Sequence, residues 1–293
     1  MCLECGCSIG GADALAHAHT HDHDHHHDHD HPHDHDHHHH HDHDHDHHHD
    51  HDHDHDDLSR EHQAAHDNLH HNPQLNDPKT ISVIQKILDK NDHEADHNRS
   101  HLEAHGILGI NLMSSPGSGK TTLIEHLADV APFRFGVVEG DLETNRDADR
   151  IAAKGIPAQQ IQTGTACHLD AFMVHKGLHG IPLEGLDVLF VENVGNLVCP
   201  ASYDVGTHLN IVLVSIPEGS DKIAKYPVMF RQADLILITK TDLLPYFDYD
   251  IEAEKAVARR LKPNVDILEV NTKDPDSIKA VADWIEFKRK MRS

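Results

Sequence analysis

Residues 107–122 read I-L-G-I-N-L-M-S-S-P-G-S-G-K-T-T. The run from Ile107 to Met113 is apolar except for Asn111, the pattern of a short strand buried on both faces of a parallel sheet. It passes directly into Ser114-Ser115-Pro116-Gly117-Ser118-Gly119-Lys120-Thr121-Thr122, after which Leu123, Ile124 and Leu127 mark an amphipathic helix. Strand, glycine-rich turn and helix in this order make a P-loop. The glycines let backbone N–H groups of Gly117, Ser118, Gly119 and Thr122 curl around phosphate oxygens at a positive helix end. Lys120 reaches the β and γ phosphates and the Thr121 hydroxyl ligates magnesium. Ser114 stands where the usual pattern has its first glycine.

Further strands follow at the spacing of an α/β chain. Phe135 to Val138 ends in Glu139-Gly140-Asp141, and a carboxylate at the carboxyl end of a parallel strand faces the ligand crevice. Asp141 is therefore either a magnesium ligand or, in the capping-rich segment through Asn145, a helix cap. Leu186 to Val191 closes with Glu192-Asn193-Val194-Gly195. Glu192 is placed to hold magnesium through water or to orient an attacking water, and the Gly195 N–H to sense a γ phosphate. Ile211 to Ile216 is another strand.

Leu235 to Ile238 delivers Thr239-Lys240-Thr241-Asp242. The Asp242 carboxylate can accept from both N1–H and the 2-amino group of guanine, donors that adenine lacks, so the base read is guanine. Lys240 covers the base plane and braces the P-loop. A helix over Tyr249 to Leu261 precedes the strand Asp266 to Val270, whose following Asn271-Thr272-Lys273 completes the base pocket. The expected fold is a doubly wound, mainly parallel α/β P-loop GTPase domain over residues 106–293, preceded by a disordered His/Asp-rich segment.

That segment dominates the composition. Residues 17–57 hold 24 His and 14 Asp, with only Ala18, Thr20 and Pro32 otherwise, and the tract carries 14 of the 25 net negative charges. It cannot build a core, but alternating imidazole and carboxylate offers overlapping sites for nickel, zinc, copper or cobalt, so buffering or storage is its natural use. The 188 residues from Gly106 onward are only six negative. No segment concentrates Lys and Arg as a nucleic-acid surface requires. No run approaches the length of a membrane span and no export signal opens the chain, so a cytoplasmic protein is expected.

The first 16 residues begin Met1-Cys2-Leu3-Glu4-Cys5-Gly6-Cys7. Three thiols this close can surround one cation, with the Cys2 amine as fourth ligand once Met1 is removed; a planar set suits nickel and a tetrahedral one zinc. Cys167-His168 and Cys199 supply a second set of nitrogen and sulfur ligands, to be completed by water or a symmetry-related chain. Between tract and domain, residues 58–105 read as a linker with two docking helices. One begins at Asp77-Pro78 with Ile81, Ile84, Ile87 and Leu88 at helical spacing, and another covers Glu94 to Ala104. His93, His97, His101 and His105 repeat every four residues, which puts them on one helical face, expected to be a solvated polar one.

Together these motifs resemble the hydrogenase nickel-incorporation family HypB, metal-chaperone GTPases of the SIMIBI class of P-loop proteins. The resemblance rests on the terminal C-x2-C-x-C, the His-rich insert, Cys167-His168, and V-E-N-V-G-N-L-V-C-P ending at Cys199 and Pro200. It implies slow GTP hydrolysis with magnesium, GTP- and metal-dependent homodimers, and a HypA-type nickel-binding partner. It further implies nickel delivery to the hydrogenase large-subunit precursor. Cys2, Cys5 and Cys7 then correspond to a high-affinity nickel site, and Cys167, His168 and Cys199 to a nickel or zinc site near the dimer interface. Two alternatives stay open: a urease-accessory nickel GTPase, whose switch segment resembles E-S-G-G-D-N instead, and a nickel or zinc storage protein with a regulatory nucleotide site.

Overall fold

The structure, a computed structural model, describes residues 77–141, 146–164 and 166–292. These belong to one compact unit, His62–Ser293; the other unit, Met1–Glu61, lies outside the described residues, and with it the Cys2/Cys5/Cys7 cluster and the His/Asp tract.

Seven parallel strands form one sheet in the order β3-β2-β4-β1-β5-β6-β7. They are β1 (Leu108–Ser114), β2 (Phe135–Asp141), β3 (Ala158–Gln162), β4 (Val188–Glu192), β5 (Leu209–Ser215), β6 (Leu235–Thr239) and β7 (Asp266–Val270). Among the described residues eight α-helices accompany them: α1 (Pro78–Ala104), α2 (Lys120–Val130), α3 (Arg146–Ala153), α4 (Ala171–Gly180), α5 (Lys222–Lys225), α6 (Pro227–Gln232), α7 (Ile251–Leu261) and α8 (Pro275–Arg292). The apolar runs explain the centre of the sheet. Every residue of β1, β4 and β6 is buried, because helices cover both faces. On one face Leu108, Ile110, Leu112, Phe190 and Leu213 pack with α2 and with Ile278, Val281 and Ile285 of α8. On the other, Met113, Val212, Val214, Ile236 and Ile238 meet α6 and α7, while Val138, Leu189 and Val191 meet Leu102 of α1 and Val174 and Leu178 of α4. After β4 the chain crosses to the opposite side of β1, so the strand order reverses beside the P-loop and opens a crevice there.

The segment before the domain differs from the expectation. Instead of two helices, α1 is one continuous 27-residue helix, begun by Asp77 accepting from Thr80 N and by Pro78 in its first turn. Asn91, which reads as a break, is a docking residue: its amide donates to the Asp204 carbonyl at 2.8 Å and accepts from Ala171 N at 3.0 Å. Asn98 donates to the carbonyls of Ala171 and Val205. The stripe that docks is Asn91, Ala95, Asn98 and Leu102, whereas Ile81, Ile84 and Ile87 of the first turns are exposed. Leu102 lies so close to β1 that a Cβ on Gly109 would come within 2.7 Å of it. Gly106 ends α1 at φ +67°, a conformation that costs a side-chain-bearing residue more.

Several elements have no counterpart in the sequence expectations, among them α4, α5, α6, β3 and α8. Strand β3 is the polar, partly exposed edge A-Q-Q-I-Q. Helix α8 carries a buried stripe of Ile278, Val281, Ala282 and Ile285 at helical spacing, a periodicity visible in the sequence itself.

Candidate nucleotide and metal site

The P-loop curls between β1 and α2. Gly117 and Gly119 hold φ of +73° and +101°, and nothing lies within 4 Å of where their Cβ atoms would be, so the backbone is open to an anion at the amino end of α2. The loop is braced from several sides. Lys120 Nζ donates to Ser114 Oγ at 3.1 Å, which gives the serine at the first-glycine position a use. Thr239 Oγ1 donates to the Ser118 carbonyl at 2.8 Å, and Lys240 Nζ to the Gly117 carbonyl at 2.7 Å. Lys240 itself sits at φ +59°, the single non-glycine residue with positive φ among the described residues. Such a conformation costs about 1–2 kcal/mol and is held by this contact with the loop.

One partner of the loop was not expected. Glu218, in a single 3-10 turn after β5, accepts from Ser118 Oγ at 2.8 Å and from Ser115 Oγ, and closes a capping box with Ser215. It fixes both serines that flank Pro116 and Gly117.

In front of the loop lies a cleft of about 410 Å3 whose walls include Lys120, Thr121, Thr122, Asp141, Glu192 and Gly195. Thr121 Oγ1 donates to Glu192 Oε1 at 2.8 Å. Glu192 Oε2 and Glu139 Oε2 are both buried without a hydrogen-bond partner. Burial pushes the Glu192 carboxyl up to about 7 despite Lys120. Burial, then the charges of Glu192 and Asp141, pushes Glu139 up to about 8. A hydroxyl and carboxylates with unspent oxygens in a dry cleft beside a phosphate loop are the donor set a hard divalent cation takes. Gly195 touches the P-loop closely: a Cβ there would come within 2.8 Å of Pro116 Cα.

Two residues past Lys240, which lines the cleft, Asp242 Oδ2 accepts from Lys273 Nζ at 2.7 Å, and this partner holds its carboxyl below the ordinary range. Asn271-Thr272-Lys273 is thus brought beside Asp242 as the strand order required.

The thiol and imidazole set also comes together. Single ligand atoms from Cys167, His168 and Cys199 all lie within 4.8 Å of one another, with Cys167 Sγ 3.6 Å from His168 Nδ1. The Cys167 thiol is raised by its hydrogen bond with Cys199. His168 stacks on Tyr203 at 4.0 Å between ring centres, and burial lowers its pKa, leaving a neutral ring able to ligate. Asn193 connects this cluster to the nucleotide cleft. Only 1% exposed, it directly follows Glu192, and its Oδ1 accepts from the amide of Leu169, next to His168, at 3.0 Å. Its Nδ2 donates to Asn111 Oδ1 of β1 at 3.3 Å. Asn196 reaches the Cys167 carbonyl at 3.4 Å.

The profile of the CobW/HypB/UreG nucleotide-binding domain matches residues 109–269. The hydrogenase/urease maturation factor HypB of Helicobacter hepaticus is 50% identical over 227 residues, 76% of this chain and 93% of the relative. The chain belongs to the HypB family. The hydrogenase maturation factor HypB of Escherichia coli is 43% identical over 223 residues, 75% of this chain and 76% of that one. Among solved structures, HypB from Helicobacter pylori in complex with nickel is 46% identical with a TM-score of 0.67, covering 69% of this chain and 96% of that one. HypB from Archaeoglobus fulgidus is 36% identical with a TM-score of 0.64, over 69% of this chain and 100% of its own.

Within this HypB-family domain the P-loop, Asp141, Glu192 and Gly195 share one cleft and the Cys167, His168 and Cys199 ligands share another cluster. Glu139, Asn193 and Glu218 were missed. Asn193 directly follows Glu192 and Glu139 stands two residues before Asp141, but only burial and long-range contacts distinguish them.

Proposed function

We propose that this chain is a GTP-hydrolysing nickel metallochaperone that stores nickel and delivers it for maturation of nickel–iron hydrogenase. The observation that carries this reading is the link from nucleotide cleft to metal cluster. Glu192, Asn193 and Gly195 lie within a few residues of Cys199, and Asn193 also holds the strand of chain that presents Cys167 and His168. A shift of this segment on nucleotide exchange moves one ligand relative to the other two, and ligand geometry sets metal affinity.

Backbone amides of Gly117–Thr122 and the Lys120 ammonium hold the phosphates, and Asp242, released from Lys273, selects guanine. The unpartnered buried oxygens of Glu192 and Glu139 fit a magnesium ion near Thr121; when bound, magnesium neutralises phosphate charge. Glu192 orients water and Asp141 closes the cleft wall. Nickel is the cargo. Cys2, Cys5 and Cys7 take it tightly, the His/Asp tract buffers it, and Cys167, His168 and Cys199 take nickel or zinc, with the metal promoting homodimers when GTP is bound. The protein acts in the cytoplasm with a HypA-type partner and the hydrogenase large-subunit precursor.

The test is a nickel titration of the full chain carrying Cys2, Cys5 and Cys7→Ser, so that sulfur-to-nickel charge-transfer absorption reports on Cys167 and Cys199 alone. It is run with GDP and with a non-hydrolysable GTP analogue. The expected result is a different nickel affinity in the two states and GTP turnover by the unmodified chain. Equal affinities, or absence of turnover, refute the reading. Because Helicobacter relatives are hydrogenase/urease maturation factors, hydrogenase and urease activities are scored separately in a strain lacking the chain, with and without added nickel.

A further inference from the structure

Helices α1 and α4 meet along a seam of imidazoles that the nucleotide and cysteine sites do not use. His97 and His101 on α1, and His175 and His179 on α4, are each four residues apart and so share one face of their helix. The two faces oppose one another. Ring centres of His97 and His175 are 5.0 Å apart, those of His101 and His179 5.6 Å, and those of His175 and His179 4.6 Å. The stripe expected to be a solvated polar face is therefore half-buried against a second helix at His97 and His101. Glu94, one turn before His97, adds a carboxylate whose Oε1 is 3.2 Å from His175 Nδ1 and 3.6 Å from His97 Nδ1.

We propose that Glu94, His97 and His175 form a binding site for one borderline divalent cation, of the zinc and nickel class, that clasps α1 to α4. Single ligand atoms of the three lie within 4.8 Å of one another. Two imidazoles and a carboxylate are a common set for such ions, and bonds of about 2.0–2.2 Å put neighbouring ligand atoms of a tetrahedral site about 3.4 Å apart, close to the two distances seen. The surroundings suit the role. In the metal-free protein His175 Nδ1–H donates to Asn98 Oδ1 at 3.1 Å, so binding shifts this proton to Nε2 and leaves the Asn98 oxygen, anchored through its Nδ2 on the Ala171 and Val205 carbonyls, beside the ion. The far nitrogen of His175, Nε2, lies 3.1 Å from His179 Nε2, the outer partner that a ligating histidine uses to fix its tautomer.

An ion pair between Glu94 and charged imidazoles fits less well. Burial lowers His175, and burial followed by the neighbouring rings of His105, His179, His175 and His97 lowers His101 to about 4. The half-buried rings of the seam have nitrogen atoms to offer, and His101 Nδ1 is buried with no hydrogen-bond partner. The site lies seven residues along the chain from His168 and draws its ligands from different elements, so it is independent of the Cys167/His168/Cys199 cluster.

The full-length protein, stripped of metal, is modified with diethyl pyrocarbonate, and each histidine's rate is read by peptide mass spectrometry. The measurement is repeated with zinc alone or nickel alone, titrated past saturation of the other sites. His97 and His175 are expected to slow at least about tenfold with metal, while His126 on α2 serves as the reference ring that does not change. Glu94→Gln should weaken this protection at His97 and His175 without altering the cysteine-dependent absorption. Should that variant fail to fold, His97→Gln read at His175 gives the same comparison. Rates at His97 and His175 that ignore metal, or protection that survives both substitutions, overturn the site and leave an interhelical hydrogen-bond cluster.

Discussion

Replacing Asn193 by alanine removes the side chain that joins the nucleotide cleft to the metal cluster. Its Oδ1 accepts from Leu169 N and Val194 N, both at 3.0 Å, and its Nδ2 donates to Asn111 Oδ1 at 3.3 Å. Leu169 is completely buried, so no water replaces the lost acceptor. An unsatisfied buried amide costs about 1–3 kcal/mol, and adding a smaller share for Val194 and Asn111 gives a loss of about 2–4 kcal/mol. For a domain of this size that lowers Tm by about 5–15 °C. The functional consequence is separate. Nucleotide-dependent couplings of this kind are worth about 1–3 kcal/mol, a factor of about 5–150, and without the tether the ratio of nickel affinities between GTP-analogue and GDP forms should fall towards one. Calorimetry and the charge-transfer titration read the two effects on the same preparation. Asn196→Ala is the control, since half-buried Asn196 reaches Cys167 O only at 3.4 Å and otherwise accepts from the amide of exposed Val198 at 2.8 Å; its Tm should move by less than about 2 °C. An Asn193→Ala protein with wild-type Tm and an unchanged affinity ratio would refute the tether.

Three further outcomes are expected. Asp242→Asn should weaken GTP binding about 10- to 100-fold while improving xanthosine triphosphate, measured by competition with a fluorescent nucleotide, because the amide no longer accepts from both guanine donors. Tm should hardly change, since the Asp242 partner Lys273 is 76% exposed and such pairs add little. Burial holds the Glu139 carboxyl up at about 8, above its ordinary 4.5; its contribution is present below about pH 4.5 and lost as pH rises through about 8. Ligand-free Glu139→Gln should therefore melt above wild type at pH 8.5, with the gap closing towards pH 5, and an unchanged gap by thermal denaturation would contradict the burial argument. Deleting residues 17–57 should remove most bound nickel but spare one tight equivalent, whereas Cys2, Cys5 and Cys7→Ser should do the reverse; elemental analysis after dialysis distinguishes them.

The sequence alone determined the architecture wherever local pattern and burial coincide. Central strands such as β1, β4 and β6 are covered on both faces, so they must be continuous apolar runs, and such runs are visible in one dimension. The P-loop was equally legible, because a turn that wraps an anion demands glycines and a lysine at fixed spacing on a strand end, and the Thr239-Lys240-Thr241-Asp242 turn follows from the end of β6 where the apolar run placed it. The edge strand β3 was not, since one open flank lets A-Q-Q-I-Q be polar and leaves no periodic signal. Nor was the continuity of α1, where Asn91 falls between the two expected helices and looks like a break until the Asp204 carbonyl and the Ala171 amide arrive from about 80–113 residues away to bind it. Tertiary structure likewise decided which acids sit dry. Glu139 is one carboxylate among several in the chain and becomes distinctive only when β2, β4 and the P-loop exclude water from it together. The imidazole seam has the same origin: four-residue spacing put His97 and His101 on one side of α1, but only the packing of α4 set His175 and His179 opposite them. Spacing along a chain fixes what one element presents, whereas a site shared by two elements exists only once desolvation and packing have chosen their register.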